Sequence, residues 1–251
     1  MNKINISVSI FSIALFAVVF AMQSMASENP HWEYYGDNGP DAWGRLDQSY
    51  IMCAEGKNQS PINLTNMIEG SLPDLKLKYS KSGTEVVNNG HTIQVNFAPG
   101  NTMTVEGRTF ELKQVHFHSP SENNIEGKSY PLEGHFVHAD KAGNLAVIAI
   151  LYDHGEHNNE LEKAWEYMSA SSGDKHMLPN KINASKLFPE KHAYYRFNGS
   201  LTTPPCSEGV RWFVMKDINN ASQRQVRKFI SVIPHDNNRP LQAINAREVI
   251  Q

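Results

Sequence analysis

The feature that most limits how this chain can fold is a recurring pattern of short runs in which apolar and polar residues alternate. The runs cover 86–97, 102–105, 114–118, 132–138, 145–151 and 210–215. A period of two places successive side chains on opposite faces of a pleated strand. Between the runs stand turn formers: Asn88-Asn89-Gly90, Pro99-Gly100-Asn101, Glu106-Gly107, Ser119-Pro120 and Gly143-Asn144. Two segments break the pattern. Residues 159–170 carry Leu161, Ala164, Trp165 and Met168 at helical spacing, and 222–232 turns Val226, Phe229 and Ile230 inward. The expectation is a β-dominated fold with a few short helices packed on a sheet. No repeat or long linker divides the chain, and 251 residues suit one such domain.

The first 26 residues read differently. Lys3 precedes an apolar run from Ile10 to Met22, and Ser24-Met25-Ala26 places small residues where a signal peptidase cuts. This predicts a signal peptide over 1–26, cleaved after Ala26, and a periplasmic or secreted product. An uncleaved anchor is the competing reading, but the run falls short of the ~20 residues that a full span needs. No later stretch is apolar enough to cross a bilayer, so cleavage is expected to leave no membrane span. Export implies an oxidising compartment, where the two cysteines, Cys53 and Cys206, are expected to pair rather than remain buried thiols. The formal net charge is -3 and no dense basic cluster occurs, which argues against nucleic acid as a partner.

The chemistry is concentrated in Gln114-Val115-His116-Phe117-His118. On a strand His116 and His118 face the same way, while Phe117 turns into packing. Two imidazoles at that spacing can reach one metal ion, and they equally suit two hydrogen-bonded histidines. The next run, Leu132-Glu133-Gly134-His135-Phe136-Val137-His138, puts Glu133, His135 and Val137 on one face and His138 on the other. Pairing of the two strands would add His135 to His116 and His118. Three protein ligands with a vacant fourth position are the mark of catalytic zinc. Glu133 would then accept a hydrogen bond from a ligand imidazole and fix its tautomer. A zinc peptidase of the His-Glu-x-x-His kind is excluded, because no such run occurs. His154 and His157 read as solvated loop residues rather than a second metal site.

Further motifs accompany these strands. Near the start come His31-Trp32-Glu33-Tyr34, Gly39-Pro40 with Trp43, and Lys57-Asn58-Gln59-Ser60-Pro61-Ile62-Asn63. Asn88-Asn89-Gly90-His91 follows, then Asn198-Gly199-Ser200-Leu201-Thr202-Thr203-Pro204-Pro205-Cys206, and finally Asn237-Asn238-Arg239-Pro240. In this order, over nearly the whole mature chain, they resemble the alpha-carbonic anhydrases. The short loop after His118 and the Cys53/Cys206 pair are similar to the bacterial secreted branch.

The resemblance implies one domain over 27–251 on a large central, mostly antiparallel twisted sheet. It implies Zn2+ on His116, His118 and His135, and reversible hydration of carbon dioxide to bicarbonate and a proton by zinc-bound hydroxide. Ester hydrolysis would be a side activity. Thr202 would orient the attacking oxygen and donate its own hydroxyl proton in a hydrogen bond to Glu122, with Thr203 on the same wall. Gln114 and Glu133 would support the ligand histidines. Val137, Val147, Leu201 and Trp212 match an apolar pocket for carbon dioxide. His91 matches a histidine that relays the product proton, and Tyr34 and Gln94 match polar positions that order the water along its path. The implied small molecules are carbon dioxide, bicarbonate, sulfonamide-type inhibitors and anions; a homodimer is compatible. Asn123 departs from the pattern, since many members carry histidine there, and altered packing rather than lost activity is expected. A non-catalytic relative would lack one of the three histidines. A metal-buffering protein would not need Thr202 or Glu122.

Overall fold

The computed structural model describes residues 30–179 and 181–251, so the expected leader over 1–26 lies outside the described residues. Among the described residues, eleven strands share one mixed, twisted sheet. Its spine runs Lys175–Met177, Gly83–Asn88, Ile93–Phe97, Arg108–His118, Leu132–Ala139, Leu145–His154, Glu208–Met215, Tyr194–Ser200. Neighbours along it are antiparallel except at one seam, where Glu208–Met215 runs parallel to Leu145–His154. Asn219–Ala221 adds to the same strand in parallel. The expected, mostly antiparallel sheet therefore carries one parallel seam.

Turn chemistry sets the pairing. Glu106 and Gly107 both take positive φ, 50° and 71°, between the paired ends Val105 and Arg108. A two-residue loop with that geometry matches the right-handed twist of its strands. The pleat then divides the apolar residues between two cores. Val115, Phe117, Phe136, Ile148, Ile150 and Phe213 lie in the larger cluster. Val147, Ala149, Leu151, Trp212 and Val214 lie in the smaller one on the other face. Leu145–His154 is thus covered on both sides, which is why its sequence is nearly continuous in apolar residues.

Helices Asn159–Trp165 and Gln223–Val232 pack on the larger core. Asn158 caps the first, accepting from the backbone of Glu160 and Leu161, and Ser222 with Gln225 forms a capping box on the second. The Trp165 indole donates to the Gln225 carbonyl and ties the two together. Two details differ from the sequence expectation. The first helix stops at Trp165 instead of residue 170, because a turn follows in which the Ser169 hydroxyl donates to Asp174 and Gly173 takes a φ of 88°. Ile230, expected inside, is 45% exposed. The buried stripe is set by Val226, Phe229 and Ile233, and Ile230 falls on its flank.

Cys53 and Cys206 are bonded, with Cα atoms 5.0 Å apart and a sequence separation of 153. Chain-entropy arguments assign a loop of that length about 4–5 kcal/mol. Among the described residues no helix is long and apolar enough to cross a membrane.

His138 lies on the face opposite His135 and is completely buried. Its Nδ1–H donates to the Phe136 carbonyl at 2.8 Å, and its Nε2 accepts from the Tyr79 hydroxyl at 2.6 Å. That arrangement needs the neutral ring, and burial pushes the imidazole from 6.5 down to about 4. The unfolded chain therefore takes up this proton first. Stability is full above pH 6.5 and drains away as the pH falls towards 4. The expected loss is about 3 kcal/mol over that window. Urea unfolding at pH 7 and pH 4.5 should show a smaller acid loss in His138→Gln than in the parent; equal losses would contradict the assignment.

Candidate metal centre

Strand register brings the histidines together. His116 stands directly opposite His135, and His118 opposite Glu133, across the antiparallel pair Arg108–His118 and Leu132–Ala139. Residues two apart share a face, so the three rings meet on one side of the sheet. Ligand-capable nitrogens of His116, His118 and His135 all lie within 4.8 Å of one another.

In each ring one nitrogen is already engaged by an acceptor. His116 Nδ1 meets Gln114 Oε1 at 2.9 Å, His118 Nδ1 meets the Asn237 carbonyl at 2.6 Å, and His135 Nε2 meets Glu133 Oε1 at 2.9 Å. An acceptor binds only a protonated nitrogen, so each contact fixes a tautomer. The remaining nitrogens, His116 Nε2, His118 Nε2 and His135 Nδ1, keep their lone pairs. Burial pushes all three pKa values down, for His116 and His135 well down, which favours neutral rings. His118 Nε2 is buried without a hydrogen-bond partner. A buried acceptor left unpaired is costly, and a cation at the meeting point satisfies it. Three neutral imidazoles with the fourth side free fit Zn2+.

Behind this layer lies a second one. Glu133 Oε2 accepts from the backbone of Glu122 at 2.7 Å and of Asn123 at 2.8 Å. Its Oε1 accepts from Asn123 Nδ2 at 2.7 Å as well as from His135. Burial raises the pKa of Glu133 and the Asn123 contacts oppose the rise. Asn123 itself is fully buried, and its Oδ1 accepts from Ile62. The atypical residue is thus built into the support of Glu133.

Glu122 Oε1 accepts from Arg239 N at 2.8 Å. Its Oε2 has no hydrogen-bond partner and stands 3.5 Å from His118 Nε2 and 3.8 Å from His135 Nδ1. Burial lifts the carboxyl to about 8, while the Arg239 backbone and the Thr202 hydroxyl pull the other way. A divalent cation nearby would favour the carboxylate. Thr202 is buried in the loop between Ser200 and Cys206.

A cavity of about 230 Å³ opens above His116 and His118, lined also by Trp32, Tyr34, His91, Gln94, Gln114 and Thr203. The His91 ring stacks on Trp32 with centroids 3.7 Å apart, and its Nδ1 has no partner. Burial lowers its pKa. Val137, Val147 and Trp212 are in register across three adjacent strands and join Leu201 in the smaller core. Trp212 sits edge-on to His135 at 4.9 Å. The structure thus lines one cavity with Tyr34, His91, Gln94, Gln114, His116, His118 and Thr203, and sets His135 against Glu122, Glu133 and Trp212. Cys53 and Cys206 anchor the Thr202 loop from further off. The motifs that contain Trp32, Asn237 and Arg239 give no sign of their tasks, since neither a ring stack such as that of Trp32 on His91 nor the burial of a polar residue such as Asn237 or Arg239 leaves a trace in periodicity.

Comparison with known proteins agrees with this geometry. A family described as eukaryotic-type carbonic anhydrase matches residues 38–251. A carbonic anhydrase of Neisseria gonorrhoeae is 46% identical, over 96% of this chain and 95% of its own length. A hyperthermostable carbonic anhydrase from an active hydrothermal vent chimney is 51% identical with a TM-score of 0.86, over 88% of this chain and 99% of its own. The alpha-carbonic anhydrase of Thermovibrio ammonificans, solved in complex with the inhibitor sulfanilamide, is 47% identical with a TM-score of 0.87, over 89% of this chain and 100% of its own.

Gln114→Ala removes the acceptor that fixes the His116 tautomer and leaves the ring in place. Zinc affinity, measured by chelator competition at neutral pH, is expected to fall about tenfold or more. Unchanged affinity would mean that this contact does not orient a ligand.

Proposed function

Because the chain belongs to the eukaryotic-type, or alpha, carbonic anhydrase family, we propose that His116, His118 and His135 are its zinc ligands and that the adjoining cavity is where carbon dioxide is turned over. The activity is the zinc-dependent, reversible hydration of carbon dioxide to bicarbonate and a proton. The observation that carries the residue assignment is the tying-off of one nitrogen in each of three buried rings.

In carbonic anhydrases zinc acts as a Lewis acid and brings the pKa of a bound water to about 7. The chain's own residues supply the rest. Glu122 as a carboxylate can only accept, so it fixes the direction of the Thr202 hydroxyl proton. The Thr202 oxygen is then left to accept from the reacting water and to aim its lone pair, a contribution of orientation. Val137, Val147, Leu201 and Trp212 form an apolar wall suited to an apolar substrate, with Thr203 on the cavity side. His91, in the wall of the cavity, takes up the released proton and passes it to buffer. Tyr34 and Gln94 line the path between. A sulfonamide would compete for the same cavity, in keeping with the sulfanilamide complex of the Thermovibrio relative. The Cys53–Cys206 bridge supports an exported, periplasmic or secreted protein with a cleaved leader.

Two substitutions test the reading. His116→Ala should lose stoichiometric zinc and carbon dioxide hydration together; an active variant would refute the ligand set. His91→Ala should keep its zinc and its kcat/KM, with kcat in dilute buffer falling about tenfold or more. Added imidazole should restore that loss, and failure to do so would remove His91 from the proton path.

A further inference from the structure

Asn237 is completely buried, in the loop that follows helix Gln223–Val232. Its backbone carbonyl receives the His118 ring, as described above. Its side chain makes three further contacts. Oδ1 accepts from Ser119 N at 2.8 Å, and Nδ2 donates to the Phe117 carbonyl at 2.9 Å and to the His91 carbonyl at 3.0 Å. The partners fix the orientation of the amide, because a carbonyl only accepts and a backbone N–H only donates.

We propose that the Asn237 side chain is a positioning residue for proton transfer, holding the His91 turn at a fixed place against the strand that carries His118. The inference rests on the reading of His91 as the proton relay. Three features support it. The amide is planar, so its two ends bind the His91 carbonyl and the backbone on both sides of His118 as one rigid unit. His91 leaves a tight turn in which Gly90 has a φ of 91°. Its own N–H is spent inside that turn, on Asn89 Oδ1 at 3.0 Å. The carbonyl of His91 is thus the backbone group through which the residue is held from outside its turn, and Asn237 is what holds it. The ring stacks on Trp32 and lies T-shaped to Tyr34 at 6.4 Å, contacts that fix its plane and leave its height above the metal site to the backbone. Transfer through ordered water depends on that height, because displacement by about 1 Å can cost orders of magnitude in rate.

The experiment compares zinc-loaded parent, Asn237→Ala, His91→Ala and the double variant, with kcat and kcat/KM measured in dilute buffer and with added imidazole. The inference predicts that Asn237→Ala lowers kcat in dilute buffer about tenfold beyond whatever it takes from kcat/KM through the support of His118, and that imidazole restores this excess loss. In the His91→Ala background the same change should add almost nothing. Unchanged kcat, a parallel fall in kcat and kcat/KM, or an effect that simply adds to that of His91→Ala would each overturn it. If His91→Ala alone shows no buffer-dependent loss, the relay reading itself fails and this inference falls with it. Should Asn237→Ala not accumulate as zinc-loaded protein, Asn237→Asp carries the same test. It keeps an acceptor for Ser119 and loses both donated bonds.

Discussion

The facing nitrogens of three imidazoles lie within 4.8 Å of one another, and they can hold one cation together only if none of them carries a proton. The hydrogen bonds on their outer nitrogens, to Gln114, Asn237 and Glu133, enforce that state. Each one moves the ring proton to the outside and presents a lone pair to the centre. Burial adds to the effect by disfavouring the imidazolium. The outer contacts come from the histidine's own strand for His116 and His135, and from a loop far along the chain for His118. The metal site therefore exists only in the finished fold.

The rest of the molecule holds those contacts in place. Arg239 is buried and its guanidinium donates to Gln59 Oε1, the Ser60 carbonyl and the Cys53 carbonyl. Its backbone N–H binds Glu122, and Gln59 in turn donates to the Cys206 carbonyl. One buried network thus joins the disulfide, the Thr202 loop and the Glu122 carboxyl. Desolvation lowers the Arg239 pKa to about 10, which still leaves it charged at neutral pH. A buried cation of this kind is tolerated because every acceptor around it is fixed in advance.

Much of the sheet and the three histidines were legible in the sequence, because both depend on a period of two. Alternation placed His116 with His118, and His135 with Glu133, before any contact was known. The parallel seam was not legible, since Leu145–His154 is buried on both faces and a continuous apolar run carries no partner information. The end of the first helix was missed because Met168 keeps helical spacing and still packs on the core, although the chain has already turned. Asn123 and Asn237 were harder. Their value lies in amides that meet several backbone groups at once, and nothing local in the sequence announces it. The roles of Thr202, Glu122 and His91 were reached through family resemblance, not through spacing.

X-ray absorption at the zinc edge of the loaded protein tests the central claim most directly. Three nitrogen ligands of imidazole type at about 2.0–2.1 Å and one oxygen from solvent, with one zinc per chain, are expected. The oxygen should be exchanged for nitrogen when a sulfonamide is added. A fourth ligand that no sulfonamide displaces, as if the Glu122 carboxylate closed the site, or fewer than three imidazoles, would contradict the account.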